Sequence, residues 1–247
     1  MIQPRFMLDE PFNLCYAPSL TSWAIVRQRK NRPVEKASMV GLVEVAGAPP
    51  LPGVARDLEN VKTVFHDRLG GVYFDDAATV ANAKRVLGYP GLLLLATHGM
   101  NVADHPLESF VVLQPQEGSD GHLTAAELFE TRVATDLVVM NACYSGLADA
   151  SPLPGDDLFG LQRALLQAGA RTVVAGLWDV YDGTAPELIR GLLDRVAAGQ
   201  AAPAALAQSQ REFLKKLRAS GDPEPWLHPY FWAVYTVAGD DRTGARK

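Results

Sequence analysis

Between Phe12 and Gly239, short apolar β-rich runs alternate with stretches of helical periodicity. A chain patterned in this way builds a sheet flanked by helices, not separate all-α and all-β halves. The expected strands are Asn13 to Ala17, Met39 to Val45, Gly71 to Phe74, Leu92 to Thr97, Phe110 to Leu113, Leu137 to Asn141, Thr172 to Leu177 and Ala233 to Val237. Several are continuous apolar runs without polar alternation, which places them in a sheet buried on both faces and therefore largely parallel. Leu58, Val61, Phe65 and Leu69 fall on one helical face, as do Leu188, Leu192, Leu193 and Val196, so both helices are expected to lie on the sheet. Thr124 with Glu127 and Thr184 with Glu187 each fit a capping box, starting helices near Ala125 and Ala185. Gly199 fits the left-handed position closing the second, and Pro203 then opens a helix carrying Leu206, Phe213, Leu214 and Leu217. Gly47 to Gly53 and Ser145 to Asp157 read as loops.

The 247 residues, 48% of them hydrophobic and 21% charged, suit one α/β domain spanning 1–247 and exclude a disordered or fibrous chain. A net charge of −5, with a single short basic cluster from Arg27 to Arg32, argues against nucleic acid as a partner. That cluster reads as a solvated helix end. No apolar run approaches the ~18 residues of a membrane span, and Met1 to Phe12 has no apolar signal core. A soluble, cytoplasmic protein with no membrane partner is expected. The two cysteines, Cys15 and Cys143, make no disulfide framework and no metal-ligand spacing, which suits a reducing compartment.

Chemistry concentrates at two run ends. Leu92-Leu-Leu-Leu-Ala-Thr-His98-Gly99 and Leu137-Val-Val-Met-Asn-Ala-Cys143-Tyr-Ser-Gly146 each pass from an apolar run through a reactive residue to glycine. Ligands of open α/β sheets bind at the carboxyl ends of strands. If the two strands are neighbours, His98 and Cys143 project from one edge, where an imidazole takes the thiol proton or stabilises the thiolate. Gly99, having no Cβ, lets the backbone approach a substrate carbonyl, and the Gly99 and Cys143 amides are the expected oxyanion donors. Taken alone, a strand-end Cys reads as a small buried hydrophobe and a lone His as a satisfied polar residue; the pair at matching strand ends reverses that reading. Cys15 has no accompanying base or glycine turn and reads as core.

Beyond the dyad, the chain resembles the CHAT domain, a caspase-like peptidase family related to separases and gingipains. The resemblance is carried by Tyr16-Ala-Pro-Ser19, Leu51-Pro-Gly-Val-Ala-Arg-Asp57, Ala96-Thr-His-Gly99, Leu123-Thr-Ala-Ala-Glu-Leu128, Asn141-Ala-Cys143, Gly169-Ala-Arg-Thr-Val-Val-Ala-Gly-Leu-Trp178, Ala207-Gln208, His228-Pro-Tyr-Phe-Trp-Ala233 and Gly239-Asp240. His98 also precedes Cys143 by about 45 residues, near the caspase separation. The resemblance implies a caspase–haemoglobinase fold, a mostly parallel central sheet flanked by helices on both faces. It further implies His98 as acid-base partner, Cys143 as nucleophile, peptide-bond hydrolysis and no metal or organic cofactor. Where many relatives have Ser-Ala-Cys-Glu-Thr-Gly, this chain has Asn141-Ala-Cys-Tyr144-Ser-Gly146, which keeps the dyad and changes a cleft wall. CHAT domains commonly carry an N-terminal lead-in and follow repeat or adaptor domains, so a recognition module is expected on another chain or a missing segment.

For substrate binding, the resemblance points to Trp178, Asp179 and Asp182, with Tyr144. A carboxylate there favours a Lys or Arg side chain before the scissile bond, while Asp182 equally suits a cap for the helix near Ala185. The loop Ser145 to Asp157 holds no Lys or Arg, so self-cleavage inside it is not expected, and activation by a regulatory or sensor protein is. The expected function is a cysteine endopeptidase acting on a specific protein substrate in a bacterial defence, cell-death or signalling pathway. The alternative is a catalytically silent caspase-like module that docks a partner.

Overall fold

The computed structural model describes residues 5–102, 104–143, 160–220 and 224–242. Its centre is a six-stranded sheet in the order β2-β1-β3-β7-β8-β9, built from β1 (Ala37–Gly41), β2 (Leu69–Phe74), β3 (Leu92–Ala96), β7 (Leu137–Asn141), β8 (Thr172–Gly176) and β9 (Tyr235–Gly239). All neighbours are parallel except β8 and β9. A small antiparallel sheet of β4 (Gly99–Met100), β5 (Phe110–Val112) and β6 (His122–Thr124) follows β3.

Alternation along the fully buried strands sorts their side chains into two cores. Leu92, Leu94, Leu137, Val139 and Val174 meet α2 (Pro52–Phe65), α6 (Ala185–Ala197) and α7 (Ala202–Ser220) on one face. Leu93, Leu95, Val138, Met140 and Val173 meet α3 (Val80–Leu87), α4 (Ala125–Glu130) and α5 (Leu161–Ala168) on the other. Each central strand thus fills a core on both sides, which is why its sequence is a continuous apolar run. Chain order reverses between β1 and β3, a topological switch that opens a crevice at their carboxyl ends. α1 (Leu20–Gln28), capped by the Ser19 hydroxyl accepting from the Ser22 amide, lies outside these layers.

Several expectations are corrected. Asn13 to Ala17 forms one bridge, Tyr16 to Ala238, because Phe12, Leu14 and Tyr16 are all exposed and Pro18 ends any pairing. Leu69 opens β2 and does not extend the helical face of Val61 and Phe65. Thr124 and Glu127 form the expected capping box, whereas Thr184 stands at the N-cap position of α6, which begins at Ala185 as expected, but its hydroxyl donates to the Phe231 carbonyl and its side chain makes no cap. Gly199 takes its left-handed turn at φ +95°. The Arg27 to Arg32 segment is no solvated helix end. Arg27 pairs with Asp241, Arg29 donates to the Ala170 carbonyl and Arg32 pairs with Asp136. Asp136 also accepts the Gly91 amide, and buried Arg171 binds the Lys30 and Arg32 carbonyls. These ties gather at the end of the sheet opposite the carboxyl ends of β3 and β7.

Candidate active site

β3 and β7 are hydrogen-bonded neighbours in register, with Ala96 opposite Asn141. His98 and Cys143 each stand two residues past that pair, so adjacent parallel strands deliver base and thiol to one sheet edge. The backbone around His98 is fixed from two sides. The Thr97 amide donates to the Asn141 carbonyl, and the His98 carbonyl accepts the Val112 amide of β5.

The His98 ring is oriented by a group that sequence reasoning missed. Its Nε2 lies 2.8 Å from the Pro49 carbonyl oxygen. A carbonyl only accepts, so Nε2 carries the hydrogen and Nδ1 is left to exchange protons. Pro49 belongs to the proline-rich segment between β1 and α2, at the switch crevice. The sequence marked that segment as a loop, and a backbone acceptor has no side-chain signature to reveal it.

Cys143 is half-buried, and its Sγ accepts the Val180 amide at 3.4 Å. Burial pushes its thiol above the ordinary value; the Val180 N–H opposes that push, while Asp179 adds to it by charge and by accepting from the thiol. Burial and Asp179 both favour the protonated form of the thiol. Gly99 stands against the Cys143 backbone, where a Cβ would come within 2.6 Å of the Cys143 carbonyl oxygen. No other residue fits there without displacing the nucleophile's own peptide.

The specificity candidates separate. Asp179 and Val180 lie against the thiol. Asp182 turns away to the first turn of α2, where its two carboxylate oxygens accept the Gly53 amide at 2.9 and 2.7 Å. It caps α2 and not α6. Arg56 donates to the Asp182 carbonyl and stands 4.0 Å from its carboxylate. Trp178 donates from Nε1 to the Tyr230 carbonyl and lines an apolar hollow of about 350 Å³ with Phe6, Leu14, Leu206 and Trp232, a hollow whose walls include neither His98 nor Cys143. Tyr144 and Ser145 to Asp157 lie outside the described residues. Tyr230 is a further neighbour, its phenol raised by burial and by the charges of Asp179 and Cys143. Cys15 packs part-buried on the core with its Sγ 3.7 Å from the Gly239 carbonyl, and burial raises its thiol to about 11.

The family model of the CHAT domain matches residues 3–240. The chain belongs to the CHAT domain family. Over 95% of its length this CHAT domain is 29% identical to human tetratricopeptide repeat protein 28, and over 48% it is 29% identical to the mouse protein. It spans only 11% of the human protein and 4% of the mouse one. Among solved structures, the Saccharomyces cerevisiae separase–securin complex aligns over 91% of the CHAT domain and 14% of the solved chain, with TM-score 0.61 and 14% identity. The Arg-specific cysteine proteinase gingipain R aligns over 90% of this chain and 51% of its own, with TM-score 0.56 and 12% identity. At such identities the likeness is one of fold, and that fold is the caspase–haemoglobinase architecture: a mostly parallel central sheet with helices on both faces. Among the described residues no helix is long and apolar enough to cross a membrane.

Proposed function

We propose that this CHAT domain is a cysteine endopeptidase in which Cys143 is the nucleophile and His98 its acid-base partner. The observation that carries the reading is the β3–β7 register, which brings both residues to one edge beside a glycine whose missing side chain makes room at the thiol's own peptide. In the reaction, the Cys143 thiol gives its proton to His98 and the sulfur adds to the scissile carbonyl. The Gly99 and Cys143 amides take up the oxyanion charge. Collapse of the tetrahedral adduct breaks the C–N bond as His98 returns a proton to the leaving amine. Water, deprotonated by the same imidazole, then hydrolyses the thioester and restores the thiol. The Pro49 carbonyl holds the ring throughout, the orienting third group of such dyads.

A basic side chain before the scissile bond is the proposed preference, and Asp179 is its strongest support. Its carboxylate already faces the thiol, while that of Asp182 is engaged with the Gly53 amide. A cation bound by Asp179 also offsets the charge that adds to burial in raising Cys143, so a correct substrate favours its own nucleophile. The substrate is a protein, and a regulatory or sensor protein is the proposed trigger; the kinship with a tetratricopeptide repeat protein supports a partner-bearing context. Cytoplasmic action in a bacterial defence, cell-death or signalling pathway completes the proposal.

The second reading is a silent docking module, favoured by the raised thiol. A thiol-directed peptidyl probe with Lys or Arg at its reactive end separates the two. Labelling of Cys143 that requires His98 supports the peptidase; no labelling, alone or with candidate partners, supports the module.

A further inference from the structure

One buried carboxyl linked to the strand that leads to Cys143 has no part in the reaction above. Asp57, on α2, is fully buried. Its Oδ2 accepts the Asn141 side-chain N–H at 2.6 Å, and the Asn141 Oδ1 accepts the Tyr235 hydroxyl at 2.5 Å. Three elements, α2, β7 and β9, therefore meet through one amide two residues before Cys143. The second carboxyl oxygen of Asp57, Oδ1, is buried and has no partner within hydrogen-bond distance among the described residues, with the Asn60 side-chain amide on the same helix its nearby polar group. A buried carboxylate with an orphaned oxygen is costly, and a proton relieves it.

We propose that Asp57 is a positioning residue for Cys143, acting through Asn141 and Tyr235, and that its protonation selects between two hydrogen-bond arrangements of that chain. With Asp57 ionised, the Asn141 N–H must face it and the Asn141 oxygen must face the Tyr235 hydroxyl, as observed. With Asp57 protonated, its O–H donates to the Asn141 oxygen, and the turned amide donates to the Tyr235 oxygen, so the Tyr235 O–H gives up its Asn141 acceptor and must turn away from the amide. The proton is exchanged with solvent, the only bond made or broken is the Asp57 O–H, and Asn141 carries the choice to the strand end that leads to Cys143. The Asn141 carbonyl also accepts the Thr97 amide, so the same strand end is linked to the residue before His98.

The surroundings place the transition within reach. Burial is the largest influence on Asp57 and raises it to about 7; the Asn141 hydrogen bond lowers it, the charge of Asp182 from the segment before α6 raises it, and Asn60 and Arg56 on its own helix lower it. From β9 the facing titratable group is Tyr235, itself fully buried and held neutral by burial and by the charges of Asp57, Cys143 and Asp182.

The inference rests on Cys143 as nucleophile only for its consequence, and the test keeps the two apart. In the full chain labelled with ¹³C and ¹⁵N, the Asp57 carboxyl carbon and the Asn141 side-chain amide are followed by NMR from pH 5 to 9. Alkylation of Cys143 by iodoacetamide is followed by mass spectrometry over the same range. We expect Asp57 and Asn141 to titrate together near pH 7, and the alkylation profile to show an inflection there, on the order of two-fold or more, beneath the thiol's own rise. Asp57→Asn removes both, and Tyr235→Phe shifts the shared midpoint. An Asp57 that stays ionised throughout, an Asn141 amide that ignores it, or an alkylation inflection that survives in Asp57→Asn overturns the proposal. Should Asp57→Asn not fold, the wild-type titration and Tyr235→Phe decide it alone. Co-titration with no alkylation of Cys143 at any pH supports the switch and counts against the nucleophile instead.

Discussion

The Asp182 carboxylate sits on the Gly53 amide, both oxygens within 2.9 Å of one nitrogen. A Cβ at Gly53 would fall 2.2 Å from Asp182 Oδ1, so the contact exists only because residue 53 is glycine. It joins the segment carrying Asp179 and Val180 to the first turn of α2, where amides lack intrahelical partners and a negative charge meets the positive helix end. Gly53→Ala is therefore expected to destabilise the protein by about 1–3 kcal/mol, and Asp182→Ala by about 1–2 kcal/mol, in urea unfolding. Unchanged midpoints for both would show that the cap contributes nothing.

Replacing the dyad separates chemistry from folding. Cys143→Ala is expected to abolish turnover, and His98→Asn to lower it by roughly 10²–10⁴-fold, each with an unchanged circular dichroism spectrum. Retained turnover in a Cys143→Ala preparation would remove the nucleophile assignment.

Gly99→Ala presses a methyl against the Cys143 carbonyl. Turnover is expected to fall by on the order of 10²-fold, as for a displaced oxyanion donor, with a much smaller effect on substrate binding. A preserved kcat would mean that the peptide shifts without harm.

Asp179 acts on the thiol in a stated direction. Its charge and its acceptance of the thiol hydrogen both raise Cys143, so Asp179→Asn lowers the thiol and speeds alkylation of Cys143 at pH 7–8. The same variant is expected to lose its preference in a positional-scanning peptide library. Cleavage after acidic or small apolar residues by the wild type, with none after Lys or Arg, would sink the basic pocket.

The raised Asp57 also has a sign in stability. In the unfolded chain it ionises near 3.8, in the fold near 7, so the native state binds the extra proton between those values. Its contribution to stability is fully present below pH 3.8 and is lost as pH rises to 7. At ~1.4 kcal/mol per pH unit the loss reaches a few kcal/mol at neutrality. The Tm of Asp57→Asn relative to wild type should therefore climb between pH 4 and pH 7; a flat difference would show that Asp57 ionises normally.

Periodicity exposed β3, β7, β8 and the inward face of α6 because buried parallel strands and amphipathic helices write their environment into residue type. It also marked His98, Cys143 and Gly99 as candidates, since a reactive residue followed by a turn is visible against an apolar run, and the β3–β7 register places them at one edge. Asn13 to Ala17 misled because a β-like composition says nothing about whether a partner edge is available. Thr184 misled because a threonine three residues before a glutamate carries the capping pattern even when its hydroxyl is taken by the Phe231 carbonyl. Asp182 was visible as a carboxylate near the site, but its partner, Gly53, is remote in sequence. The Pro49 carbonyl and the Asp57–Asn141–Tyr235 chain were hidden for related reasons: one is backbone, and the other joins residues from separate elements.

The basic segment before β1 gives this molecule a division of labour. Arg29 and Arg32, with Arg171 and Asp136, moor the far end of the sheet, and none of these groups is among the neighbours described for Cys143. Mutational tolerance should divide accordingly. A library confined to the segments beside His98 and Cys143 is expected to leave the unfolding midpoint unchanged, while substitutions at Arg171 or Asp136 lower it.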